Sequence, residues 1–266
     1  MRLALFDLID ETADEFEKNQ ATYKSAQQSL ITVYDCYLRQ FEDIYITLNS
    51  RIKSETSLRE KIIRNKFYKH CNTPEDVFLN LHDLIGLAIE CRFISDESKM
   101  LDLVKQIFEG KEEEYSVCKL DKRIYLNLKT PQPQLQRNGF TIYRLDGYFL
   151  EKGVRINYEL QIKSLIHNFW SDVEHQVVYK NNKLVQFDQF MQHLLGSIRD
   201  NLDVVDHQLQ IVYNQVKKES EQTDDVGMTE DGFKMFLAKS INDLYNIKMI
   251  DSVGFTSNFK KCSGIL

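Results

Sequence analysis

With only 10 glycines and 3 prolines in 266 residues, this chain has few places to turn or break, so long helices are the expected filling between any strands. The scarcity is sharpest from about Asp10 to Asn49, where neither residue occurs. Apolar residues in that stretch, Leu30, Val33, Tyr37, Phe41, Ile44 and Leu48, recur at three- and four-residue steps, which predicts an amphipathic helical arm. After a break at Asn49-Ser50, a second helix is expected from Arg51 to Cys71, rich in Lys and Arg. Asn72 to Asp76 then reads as a stop and a restart, with Thr73 as N-cap and Pro74 at the first position of a helix running to His82.

Beyond His82 the period changes. Leu87 to Phe93 alternates apolar and polar residues as a strand requires, and Ser95-Asp96-Glu97 can cap a helix through Phe108. Short strands are expected at 115–119, 124–128, 141–150 and 154–162, the later ones largely antiparallel. From Ser164 the spacing is helical again, through Phe169-Trp170 and on to Val216, followed by an acidic loop at 219–226 and a last helix at about 229–247. The expected fold class is α+β, a mixed, largely antiparallel central sheet flanked by helices. It divides into a helical extension at 1–48, a core at 49–182 and a C-terminal helical region at 183–266.

The 42% hydrophobic and 11% aromatic content is enough for a substantial core, and a net charge of -6 argues against a broad grip on nucleic acid. The five cysteines lie far apart with no zinc-type spacing, and the simple reading is reduced thiols in a cytoplasmic protein. The N-terminus lacks the pattern of a secretory signal, and no apolar run reaches the length of a membrane span.

Four constellations could carry chemistry. In the basic stretch, Ser57, Lys61 and Arg64 share a helical face and Lys53 precedes Ser57 by four, so with Arg51 they can offer several cations to a triphosphate. A solvated basic face is the alternative. Asp83 stands just before a strand and Glu159 lies within one, sharing a face with Gln161. Two carboxylates beside a polyphosphate can hold Mg²⁺, and one can accept a hydroxyl proton, although each alone also suits an ordinary surface position. Asn138-Gly139 offers a turn before Phe140, whose ring could stack on a base or simply alternate with Ile142 into the core. Gln161, Lys163, Asn168 and Glu174 lie where a strand ends and a helix begins, a common ligand location.

In order and spacing these elements resemble the synthetase domain of the RelA/SpoT family, which transfers pyrophosphate from ATP to the 3′-hydroxyl of GTP or GDP. Arg51, Lys53, Ser57, Lys61 and Arg64 stand where the family binds ATP, and Asp83-Leu84-Ile85-Gly86 matches its D-x-x-G element. Glu159 to Ser164 matches E-[IV]-Q-[IV]-R-T, and Asn168, Phe169, Trp170, Glu174 and His175 match the following helix. The resemblance implies the nucleotidyltransferase-like fold of that family, Mg²⁺ on Asp83 and Glu159, Glu159 as base, and acceptor contacts from Phe140, Gln161, Lys163, Asn168 and Glu174. It also implies the small, synthetase-only form, a soluble homo-oligomer, with an antitoxin partner possible.

The departures fall on the acceptor side. Ala88 stands where D-x-x-G-x-R has its arginine, and Arg92 sits too far along the strand to replace it cleanly. In the G-Y-x-S-[LY]-H loop, Phe140, Ile142 and Arg144 replace tyrosine, serine and histidine, and Lys163 replaces an arginine. Three readings follow: a (p)ppGpp-type synthetase, a toxin-type enzyme modifying the tRNA 3′ end, or a degenerate nucleotide-binding module.

Overall fold

The computed structural model describes residues 4–110, 114–135, 141–174 and 189–222. They form two compact units, Met1–Asp203 and Val204–Leu266, of which the second contributes the end of one long helix to the described residues.

Two helices open the first unit, α1 (Ala4–Lys18) and α2 (Gln20–Leu38). The expected arm stops there. Residues Arg39–Phe41 form a single 3-10 turn and Tyr45–Ile52 form strand β1, so the boundary expected at 48 falls inside a strand. Phe41, Ile44 and Leu48 do face the core, as their spacing suggested, but from a turn, a loop and a strand. The helix expected over Arg51 to Cys71 shrinks to α3 (Glu55–Arg64) plus a 3-10 turn at Phe67–Lys69. Ser54 starts α3, its hydroxyl accepting the Ser57 N–H at 3.2 Å.

Helix α4 (Pro74–Asn80) begins as the sequence dictates: the Thr73 hydroxyl accepts from Asp76 N–H, and the Asp76 carboxylate accepts from Thr73 N–H. Strand β2 (Ile85–Cys91), helix α5 (Ile94–Gln106), and strands β3 (Phe108–Glu109), β4 (Ser116–Cys118), β5 (Ile124–Leu126) and β6 (Gln134–Leu135) follow. The long hairpin β7 (Thr141–Glu151) and β8 (Val154–Ser164) leads into α6 (Leu165–Glu174), and α7 (Gln189–Gln222) closes the described chain. The acidic loop expected from 219 begins inside α7, and the helix expected at 229–247 lies outside the described residues.

The strand order is β1-β2-β8-β7-β5-β4-β3, with β6 paired to β7. All these pairings are antiparallel except β2 with β8. Burial alternates along β2, β7 and β8. One face carries Ile85, Leu87, Ile89, Leu145, Phe149, Tyr158, Leu160 and Ile162, nearly or fully buried with residues of α2 and α5 in one apolar cluster. The opposite face carries polar side chains in rows fixed by the pairing. One row runs Asp146–Glu159–Gly86–Arg51 and the next runs Arg144–Gln161–Ala88–Asn49.

Candidate active site

The first cluster forms where β1 runs into α3. Arg51 and Lys53 lie on and just past β1 rather than on a helix, and Lys53 N–H donates to Leu84 O at 2.9 Å, which brings the segment before β2 alongside. Asp83 in that segment accepts a hydrogen bond from Lys53 Nζ on Oδ2 at 2.7 Å and is ion-paired through Oδ1 with Lys61 Nζ at 2.8 Å. Burial pushes the Asp83 carboxyl up, and the two ammonium groups more than reverse this, leaving it below the ordinary carboxylate range. Burial holds the Lys53 ammonium below its usual range, with Asp83 opposing.

Arg51 lies across its neighbour, since a Cβ added at Gly86 would come within 3.4 Å of Arg51 Cγ and Nε. Ser57 stands exposed in the first turn of α3 and Arg64 exposed at its last residue. The structure thus gathers Arg51, Lys53 and Lys61 around Asp83 and Gly86, with Ser57 and Arg64 along the same helix.

The second cluster lies on β7 and β8. Glu159 accepts the Gln161 amide on Oε1 and faces Arg144 Nε at 3.7 Å through Oε2. Directly opposite Glu159 on β7 is Asp146, whose Oδ1 is buried without a hydrogen-bond partner and whose Oδ2 faces His82 Nδ1 at 3.7 Å. Two carboxylates placed opposite one another on a sheet repel unless a cation lies between them. Asp146 was not singled out from the sequence. Its signal was present, a carboxylate in even register with Arg144 on the expected strand, but its position opposite Glu159 depends on the hairpin register.

Lys163 is half-buried on the same face opposite Glu90, and burial lowers its ammonium pKa. Asn168 donates to Glu90 Oε1 at 2.8 Å, so it is tied to the carboxyl end of β2. Helix α6 starts on Ser164, whose hydroxyl accepts His167 N–H at 3.2 Å. Phe140 and the Asn138-Gly139 turn lie outside the described residues, as does the side chain of Glu174. Ile142, in the place of a family serine, is buried, and Arg92 is turned away, donating to the carbonyls of Asp43 and Glu42.

A family model described as the region found in RelA / SpoT proteins matches residues 50–184, about half the chain and the whole of both clusters. The chain belongs to the RelA/SpoT family. Among its relatives, the GTP pyrophosphokinase YwaC of Bacillus subtilis (strain 168) is 25% identical over 182 residues, spanning 66% of this chain and 80% of that one. The GTP pyrophosphokinase YjbM of the same organism is 27% identical over 146 residues, spanning 54% and 62%. Solved structures share the fold. A GTP pyrophosphokinase family protein from Streptococcus pneumoniae has a TM-score of 0.59 at 18% identity, covering 77% of this chain and 96% of that one. The small alarmone synthetase 1 from Bacillus subtilis bound to its product pppGpp has a TM-score of 0.57 at 18% identity, covering 77% and 99%. This chain is accordingly a pyrophosphotransferase-family protein with the mixed α+β architecture expected from its sequence.

Proposed function

We propose that this protein transfers pyrophosphate from ATP to the ribose 3′-hydroxyl of GTP or GDP. The observation that carries the reading is the polar sheet face, on which cations at β1 and α3 flank Asp83 while Glu159 stands two strands away in the same row as Arg51. Arg51, Lys53 and Lys61 bind the donor phosphates, with Ser57 and Arg64 extending that surface along α3. Their role is positioning and charge neutralisation, which together supply most of the rate in phosphoryl-type transfers.

Asp83 and Glu159 are the residues that would hold Mg²⁺. Their hard oxygen donors suit that ion, and the Asp146–Glu159 pairing, with a buried Asp146 oxygen lacking a hydrogen bond, puts uncompensated negative charge beside Glu159. When bound, Mg²⁺ would neutralise charge building on the transferring phosphates. Among the described residues no three His, Cys, Asp or Glu side chains converge on one metal position, so the remaining ligands of such an ion would be phosphates and water. Glu159, held by Gln161, accepts the proton of the attacking hydroxyl. Gln161 and Lys163 on the same strand, Asn168 at the start of α6, Glu174 at its end, and Phe140 ahead of β7 form the acceptor side.

The test is direct. Purified protein with Mg²⁺, ATP and GTP yields AMP and a 3′-pyrophosphorylated guanine nucleotide by mass spectrometry, and Glu159→Gln abolishes both. Deacylated tRNA and other purine nucleotides run in parallel. A product on the tRNA 3′ end alone, or nucleotide-induced thermal stabilisation with no product from any acceptor, would replace this reading. Among the described residues no helix is long and apolar enough to cross a membrane.

A further inference from the structure

We propose that Glu97, a buried carboxylate on α5 outside both clusters, is a positioning residue for the transfer: with His167 it fixes the corner between β8 and α6 from which Lys163 and Asn168 enter the site. The inference rests on the acceptor-side reading of those two residues given above. Glu97 stands in the first turn of α5, with 3% of its side chain exposed. Its Oε1 accepts the N–H of Ser164, the last residue of β8, at 2.5 Å, and the Nδ1–H of His167, in the first turn of α6, at 2.7 Å. One carboxylate oxygen thus holds the end of the strand and the start of the helix together.

Burying a carboxylate costs free energy, and apolar side chains of similar volume would hold α6 against α5 at least as firmly. What apolar packing does not supply is a single register. His167 and Asn168 are successive residues, about 100° apart around the helix axis. His167 is tied to Glu97 on α5, and Asn168 Nδ2 donates to Glu90 Oε1 on β2 at 2.8 Å. Two ties in different directions fix both the rotation and the height of α6, and the Ser164 hydroxyl closes the turn by accepting His167 N–H at 3.2 Å.

Lys163 connects this corner to the chemistry. It directly precedes the gripped N–H of Ser164, lies half-buried on the polar sheet face, and its ammonium feels both the Glu159 carboxylate and the Arg51 guanidinium. A small displacement at the end of β8 is therefore felt between the proposed base and the donor cations. Glu97 acts on that place only through the backbone it holds.

The experiment uses the full chain and compares wild type with two variants. In Glu97→Gln the amide oxygen can still accept both N–H groups, whereas the apolar pair Glu97→Leu/His167→Met fills similar space without the grip. AMP release gives KM for GTP and for ATP, and hydrogen exchange read by mass spectrometry follows residues 163–171. The apolar pair raises the GTP KM about tenfold, keeps the ATP KM within about twofold and exchanges faster at 163–171, while Glu97→Gln stays within about threefold of wild type. A wild-type GTP KM in the apolar pair overturns the proposal. So does an equal rise in both KM values, or a fall in kcat and Tm alone, since either marks a grip that only supports the fold. Should wild type release no AMP with any acceptor, the transferase reading fails, and calorimetric titration with GDP replaces KM: equal affinity in wild type and the apolar pair then overturns the role of Glu97. If the apolar pair melts below the assay temperature, His167→Gln, which leaves Glu97 its bond to Ser164, takes its place, with about a threefold rise expected in the GTP KM alone.

Discussion

The hydroxyls of Tyr34 on α2 and Tyr158 on β8 meet at 2.9 Å, and both side chains are fully buried. Burial pushes both phenols well above their ordinary range, so the pair is a neutral O–H···O bond at all working pH values. Tyr158→Phe leaves the Tyr34 hydroxyl buried with no partner, which costs about 1–3 kcal/mol, and Tyr34→Phe does the same in reverse. Removing both hydroxyls forfeits only the net worth of one neutral hydrogen bond, about 0.5–1.5 kcal/mol, and orphans nothing. The double variant is therefore more stable than the sum of the singles implies, by about 3 kcal/mol at the middle of these ranges. Urea unfolding followed by circular dichroism measures all four corners of this cycle. If the two single losses simply add in the double variant, the hydroxyls are not partners and the reasoning fails. The double variant also keeps transferase activity, because Tyr158 faces the core while Glu159 faces the site.

Gly147→Ala should be far more damaging than an ordinary glycine substitution in a strand. Its Cβ would lie 2.5 Å from both the Tyr125 carbonyl oxygen and the Tyr158 ring, an overlap costing about 3 kcal/mol and visible as a lower Tm. Wild-type stability in Gly147→Ala would show that the hairpin can shift without cost. Asp83→Asn removes a carboxylate whose folded-state pKa is depressed, so its contribution is present above the unfolded value of about 3.9 and is lost as pH falls through the lower folded value. The Tm gap between wild type and Asp83→Asn should persist from pH 7 to pH 5 and narrow as pH falls below about 4. A gap that does not narrow in acid would contradict the paired-carboxylate account.

Where local chemistry determines structure, the sequence was a good guide. Thr73-Pro74 capped a helix as read, and alternation located β2, β5, β7 and β8 to within a few residues. β1 was misread because Ile44 and Leu48 satisfy a helical step while Tyr45–Ile52 alternates only weakly, and what decides is the ladder to β2. Arg51 and Lys53 reach the site from a strand for the same tertiary reason. Strands β3 and β6 are two residues each, too short to show a period. At the candidate site, residue types singled out Asp83, Glu159 and the cations, and the structure brings Lys53 and Lys61 onto Asp83 and sets Glu159 in the same row as Arg51. The Lys53–Asp83–Lys61 clamp, the Asp146–Glu159 opposition and the Glu97 hold on Ser164 and His167 could be seen only once distant segments were brought side by side.

The parallel ladder between β2 and β8 is the seam on which the two clusters meet. On one side, β1, α3 and β2 are near neighbours in sequence; on the other, β7 and β8 form a hairpin. Each half can assemble through local contacts. Their union requires closing a loop that contains α5 and every strand from β3 to β7, the slow kind of step in folding. A chain that has built both halves but not joined them carries the proposed donor cations and the proposed base on separate pieces, unable to bring them to one substrate. Competence therefore arrives with the last long-range contact, so mild heat or denaturant that unzips β2 from β8 should silence the enzyme before most of its secondary structure is lost.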